Sequence, residues 1–253
     1  MNSGNKFSTI GQASNNELQN RKRLFELFKN NPMTPTELLN SLGLFTRRQL
    51  LSRFLFMNNL YQQILNVHGI ICEFGVRWGQ NLALFTSLRG IYEPYNYNRK
   101  IVGFDTFEGF PNTSKEDGNS SAIKKGAYGV TPGYEDFLEQ ILMYHETENP
   151  IEHIKKFELI KGDATKTCSQ YLKDNPETII AFAYFDFDIY APTKACLEAI
   201  LPHITKGTVI GFDELNYHQF PGETLAFNEV IGLNKYRIKR CEFAPTMSYI
   251  IID

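Results

Sequence analysis

The chain has 253 residues, of which 42% are hydrophobic and 21% charged, with 26 basic against 28 acidic side chains for a formal charge of -2. Near-neutrality argues against a protein held on nucleic acid by phosphate contacts, which needs a clear basic excess. The apolar content argues against disorder, and the length suits an α/β domain with additions.

Residues 1–16 are polar and rich in Asn, Ser and Gly, and read as a flexible N-terminus with no apolar signal-peptide core. Residues 17–67 read as a helical extension packed on the core. Within it, Thr34-Pro35-Thr36-Glu37 has the form of a capping-box start with proline at the first helical position, and Gly43 is placed as a stop. Leu50, Phe54, Met57, Tyr61 and Ile64 then recur at spacings of 4, 3, 4 and 3, the apolar stripe of an amphipathic helix.

Residues 68–253 change character. Short apolar runs at 69–74, 100–104, 157–160, 179–187, 207–212, 236–243 and 247–252 read as strands, with helices expected over 80–90, 133–147, 192–203 and 223–233. The early runs are almost continuously apolar, as parallel strands covered on both faces should be. Only Ala244-Pro245-Thr246 separates the last two runs, too little for a parallel crossover, so they must pair antiparallel. The expected fold is therefore α/β, a doubly wound, mostly parallel seven-stranded sheet with the last strand antiparallel, plus N-terminal helices.

No run approaches the roughly 18 apolar residues of a membrane span. Cys72, Cys168, Cys196 and Cys241 show neither a CxxC pair nor metal-ligand spacing. Cys72 and Cys241, inside strand-like runs, read as small buried hydrophobes, and the location expected is a reducing cytoplasm.

Acids recur where strands end. The first strand runs into Glu73-Phe74-Gly75-Val76-Arg77-Trp78-Gly79, with glycines four apart between strand and helix, a place where a ligand approaches the backbone. The acid at Glu73 disfavours a pyrophosphate and suits an ammonium group. The second strand ends at Asp105-Thr106, where a carboxylate accepts from ribose hydroxyls or caps a turn. Asp163-Ala164 follows the third, and Asp163 either meets an adenine amino group or caps the next helix. The fourth gives Asp186-Phe187-Asp188; on a continuing strand, residues two apart face the same side. The fifth ends in Asp213-Glu214, so four carboxylates converge on one edge, an oxygen-rich set suited to Mg²⁺ or Ca²⁺. Seven acids in all (Glu73, Asp105, Asp163, Asp186, Asp188, Asp213 and Glu214) fall at strand ends, giving a nearly neutral chain a strongly acidic cleft. His218, just beyond, is a secondary base candidate. Tyr92, Tyr95, Tyr97 and the 112–132 segment are candidates for a lid over an acceptor.

Together, Glu73-Phe74-Gly75-Val76 with Gly79, then 103–111 (GFDTFEGFP), then 186–194 (DFDIYAPTK), resemble the TylF/macrocin O-methyltransferase family over roughly residues 47–235. The resemblance implies a class I S-adenosylmethionine-dependent, Mg²⁺-assisted enzyme acting on a sugar hydroxyl. It places Glu73, Gly75, Val76 and Gly79 at the methionine part of the cofactor, Asp105 and Thr106 at the ribose, and Asp163 and Ala164 at the adenine, with Asp186 also lining the cofactor. Asp186, Asp213 and Glu214 become the metal ligands and Asp188 the general base. The family pattern has Asp-Asp where this chain has Asp213-Glu214, and the longer glutamate arm shifts or loosens such a site. The implied partner is a small-molecule or glycan acceptor, without nucleic acid or membrane, and the apolar N-terminal helices allow a homodimer. The competing readings are methylation of a catechol or other small phenolic, and a non-catalytic binding protein on the same fold.

Overall fold

A computed structural model describes residues 13–253. Helix α1 (Asn15–Lys29) starts from a reciprocal capping box between Ser14 and Glu17, so helix begins inside the stretch expected to be flexible; residues 1–12 of that stretch lie outside the described part. Thr34 caps α2 (Pro35–Asn40), as its sequence predicts. Gly43 is not the stop: the helix ends at Asn40, and Gly43 sits inside a following 3-10 turn, Leu42–Phe45. The stripe residues belong to α3 (Arg48–Gln63), where Met57 and Tyr61, with Ile64 just past the end, are fully buried.

The sheet comprises β1 (Ile70–Phe74), β2 (Ile101–Asp105), β3 (Phe157–Lys161), β4 (Ile180–Phe185), β5 (Ile204–Phe212), β6 (Lys239–Arg240) and β7 (Ser248–Ile251), in the order β3-β2-β1-β4-β5-β7-β6. Strands β1 to β5 pair in parallel, and β7 runs antiparallel to both β5 and β6. This is the expected fold. Helices cover both of its faces. With α3, α4 (Gln80–Tyr92) and α5 (Tyr134–Thr147) share one core cluster; α6 (Ala164–Asp174), α7 (Tyr190–Ile200) and α8 (Gly222–Val230) share the other. Helix α6, absent from the helices expected, is short, strongly amphipathic and capped by Asp163. Among the described residues no helix is long and apolar enough to cross a membrane. All four cysteines are buried and reduced.

A row of aromatic rings crosses four adjacent strands. Phe104, Phe74, Phe185 and Phe212 are register partners across β2, β1, β4 and β5. Their rings stack at centroid separations of 5.1, 4.6 and 5.4 Å. Each ring contributes roughly 1.5–3 kcal/mol through burial, and the offset stacking adds to it. The chain order reverses between β1 and β4, which opens a crevice at the carboxyl ends of these strands.

Candidate active site

Immediately beyond the phenylalanine row come Asp105, Gly75, Asp186 and Asp213. A dry aromatic floor therefore lies directly beneath a layer of carboxylates and shields them from water on that side. All seven strand-end acids line a single cavity of about 530 Å³, together with Arg47, Arg53 and Arg77.

On the β1 side, Glu73 is 1% exposed; its Oε1 accepts from Asn81 Nδ2 at 2.7 Å, and its Oε2 has no partner. Burial holds its carboxyl well above the usual range, with Asp186 adding repulsion. Gly75 has φ 95°, and a Cβ there would lie 2.1 Å from the Asp186 carbonyl oxygen, so only glycine lets the ends of β1 and β4 meet. Val76 is buried in the wall. Gly79 starts α4 with φ 75° but lies outside the cavity wall; a Cβ there would strike Leu138 of α5, so its need for glycine comes from packing.

Asp105 accepts from the amides of Arg77 (2.7 Å) and Phe107 (2.6 Å), both residues at positive φ, so the loops after β1 and β2 fold around one carboxylate. Burial raises its pKa against the pull of these amides. Thr106 lines the cavity and donates to the Gly109 carbonyl at 2.8 Å. Asp163 caps α6 through Thr165, and it also lines the cavity beside Ala164.

The β4 pair departs from expectation in geometry. Strand β4 stops at Phe185, and Asp188 sits at φ 63°, so the two acids are not on a continuing strand. A turn brings them together, with the left-handed backbone that aspartate tolerates and that clusters at functional sites. Asp186, Asp188 and Glu214 present carboxylate oxygens within 4.8 Å of one another. Glu214 Oε2 is buried without a partner. Burial and mutual repulsion push Asp186 and Glu214 well up, and Asp188 is pushed up to about 6, chiefly by burial.

Asp213 is held differently. Arg53 Nη2 donates to both of its oxygens at 2.7 Å, and Tyr184 Oη donates to Oδ1 at 2.5 Å. The same guanidinium reaches Asp186 Oδ2 at 3.2 Å. Sequence reading missed Arg53, a basic residue three and four positions before Phe56 and Met57 on the inward face of α3 and 133 residues from Asp186. It also missed Glu223, fully buried at the start of α8, which accepts from the Glu214 amide at 3.1 Å and is likewise raised by burial.

The remaining candidates separate by place. His218 is exposed and outside the cavity wall, whereas its neighbours Tyr217 and Phe220 line it with Tyr128. Tyr128 and Phe110 come from the 112–132 loop and its approach. That loop is pinned where buried Asp117 accepts from the Tyr190 amide at 2.6 Å. The Tyr92–Tyr97 segment is no lid. It joins α4 to β2 at the amino ends of the strands, where Tyr92 donates to Asn58 of α3.

Strand order, switch-point cavity and acid layer together define a methyltransferase of the Rossmann-like class. CalS11, a calicheamicin methyltransferase, is 42% identical, with the match covering 96% of this chain and 98% of that one at a TM-score of 0.92. An apo structure of CalS11, described as a TDP-rhamnose 3'-O-methyltransferase, matches at 40% identity over 96% of each chain with a TM-score of 0.84. The O-methyltransferase NovP, 16% identical over 79% of each chain with a TM-score of 0.60, shares the fold. No family model matches the chain, and no curated protein does. On the strength of CalS11, the chain belongs to the TylF-like family of sugar O-methyltransferases, as its motifs anticipate.

Proposed function

We propose that the protein transfers a methyl group from S-adenosylmethionine to a sugar hydroxyl, with Mg²⁺ or a similar hard cation held in the carboxylate cluster. The observation that carries this reading is the convergence of all seven strand-end acids on one cavity, in a chain so like CalS11 over 96% of its length. That likeness supports a nucleotide-linked deoxysugar as acceptor, ahead of a glycan or a glycosylated metabolite.

The residues fit the cofactor. Glu73 Oε2, buried and unpartnered, offers a carboxylate to an ammonium group, which returns the charge that burial suppresses. Gly75 keeps the backbone open beside it. Asp105 has lone pairs to spare beyond its two amide bonds for ribose hydroxyls, and Asp163 with Ala164 forms the wall for the base. When bound, S-adenosylmethionine supplies an electrophilic sulfonium methyl.

The residues fit a hard cation as well: oxygen donors only, mutually within 4.8 Å, one of them an orphaned buried atom. Asp186 and Glu214 would hold it, with Asp213 alongside and Asp188 left for the proton. When bound, such a cation supplies Lewis acidity that eases ionisation of a coordinated hydroxyl. Asp188, beside that cluster, takes the proton from the acceptor hydroxyl onto a carboxylate oxygen. Tyr217 and Phe220 offer apolar ring surface against which a sugar can stack. Fixing both partners in one cleft supplies the in-line geometry that methyl transfer needs.

Isothermal titration with S-adenosylhomocysteine tests the cofactor half, and absence of binding overturns it. Transfer from ¹³C-methyl-labelled S-adenosylmethionine to a panel of nucleotide sugars, with catechol as control, tests the acceptor. Turnover indifferent to EDTA removes the cation from the scheme.

A further inference from the structure

Arg53 is delivered to the cavity by α3, a helix that precedes every strand of the sheet. The second half of α3 is fixed, because Phe56, Met57, Leu60 and Tyr61 belong to the core. Its first half is less buried: Leu51 and Leu55 are 48% and 44% exposed, and Arg53 between them reaches inward to the carboxylates. Its guanidinium spans two carboxylates, bidentate on Asp213 and single on Asp186 Oδ2.

Asp186 thus belongs to two groupings at once. One is the salt bridge with Arg53; the other is the trio with Asp188 and Glu214 that offers oxygens to a hard cation. A guanidinium and a divalent ion on the same carboxylate repel, and the Arg53 and Asp186 side chains, 25% and 27% exposed, are only partly screened by water. A half-buried guanidinium is also the group that keeps two adjacent carboxylates tolerable when no other cation neutralises them.

We propose that Arg53 is a resident counter-cation of the carboxylate cluster, one that gives up Asp186 when a divalent ion is loaded, so that ion binding and the anchoring of α3 are antagonistic. The inference rests on the proposed cation site and deepens it. It makes Arg53 a positioning residue that sets ion affinity and couples the cavity to the N-terminal helices.

The test uses the full chain, stripped with EDTA, with Mn²⁺ as the probe followed by calorimetry and electron paramagnetic resonance. Arg53→Met keeps the aliphatic stem and removes the charge. It is expected to bind Mn²⁺ about tenfold more tightly than the wild type, a coupling of ordinary size between linked sites, and Arg53→Lys should fall between them. In the wild type, saturating Mn²⁺ should raise deuterium uptake across residues 48–55, a response absent from Arg53→Met. Equal or weaker Mn²⁺ binding by a folded Arg53→Met overturns the proposal. If that variant does not fold, unchanged uptake across 48–55 in the wild type overturns it instead. Failure of the wild type to bind Mn²⁺ at all removes both this proposal and the cation site, whereas binding without antagonism removes this proposal alone. Titration with S-adenosylhomocysteine judges the cofactor reading independently of all these outcomes.

Discussion

Among the described residues, charges gather at opposite edges of one sheet in two clusters built on opposite rules. Near the amino ends of the strands, Arg89 is paired with Glu146, and Lys156 Nζ lies 2.9 Å from the same carboxylate. Beside them, Arg99 meets Glu93 at 2.9 Å and donates to the carbonyls of Ile64, Gly69 and Val67. Cations there find carboxylates or backbone carbonyls, and the arrangement ties α3, α4, α5 and the entries of β1 and β2 together. At the carboxyl ends, carboxylates are crowded together and some buried oxygens have no partner. In a matched knot each charge meets its opposite; a surplus of one sign, with burial, raises the carboxyls of Glu73, Asp186, Asp188 and Glu214 and waits for a ligand of the other sign. The difference separates charge that holds the fold from charge that does chemistry.

Neutralising single residues tests that division, because the two edges should respond in opposite ways. The largest effect is expected for Asp188→Asn, which removes the proposed base. Turnover should fall by about 10²–10⁴-fold, the usual worth of general acid–base catalysis, while the melting temperature stays level or rises because one repelled carboxylate is gone. A variant retaining more than a tenth of wild-type turnover would show that Asp188 is not the base. Arg99→Met belongs to the other edge and should do the reverse. Taking the cation from Glu93, which keeps only its bonds from Tyr61 and Asn96, and a donor from three carbonyls should cost about 3–5 kcal/mol of stability, read as a lowered urea midpoint, with turnover per folded molecule unchanged. Glu73→Gln is smaller. It keeps the bond to Asn81 but loses the charge for an ammonium group, so S-adenosylhomocysteine binding should weaken by roughly tenfold, as expected for a charged hydrogen bond, with little change in stability. Unaltered affinity would take Glu73 out of the cofactor site.

Much of this was legible in the sequence, and the gaps have physical causes. Strands buried on both faces leave continuous apolar runs, and a strand-end acid sits beside such a run, so β1, β2, β4, β5 and their carboxylates were readable from local pattern. The antiparallel pairing at the end followed from an expected connection too short for a parallel crossover, although β6 is shorter than its apolar run and residues 241–247 join it to β7. Periodicity could not show that β4 stops at Phe185, because Asp186 and Asp188 alternate with Phe187 as strand residues would; only the positive φ at Asp188 reveals the turn. Arg53 was invisible for a different reason. A polar residue on an amphipathic helix reads as solvated, and what makes it part of the site is long-range packing of α3 on the sheet. Glu223 was hidden likewise, an acid in the first turn of α8 that looks like an ordinary answer to the helix dipole.

The gentlest test of the comparison is pH. Glu73, Asp186, Asp188, Glu214 and Glu223 all have folded-state pKa values raised above those of the unfolded chain, with Asp188 at about 6 and burial the main cause. Groups of this kind bind more protons folded than unfolded, so their stabilisation is complete below the unfolded pKa of about 4 and is lost as pH rises through the folded values. The EDTA-treated protein should therefore melt at a higher temperature near about pH 5.5 than near about pH 8, against the trend for a protein whose acids are mainly salt-bridged. Glu93 pulls the other way, its pKa lowered by Arg99 and Tyr61 against a burial penalty, but its contribution is lost only below about pH 4.5, outside that interval. If the acidic edge is what bends the profile, Asp188→Asn should flatten it and Arg99→Met should leave its slope intact. A melting temperature that climbs steadily from about pH 5.5 to about pH 8 would mean that the cluster is already neutralised within the folded chain, and the contrast between the two edges would fail.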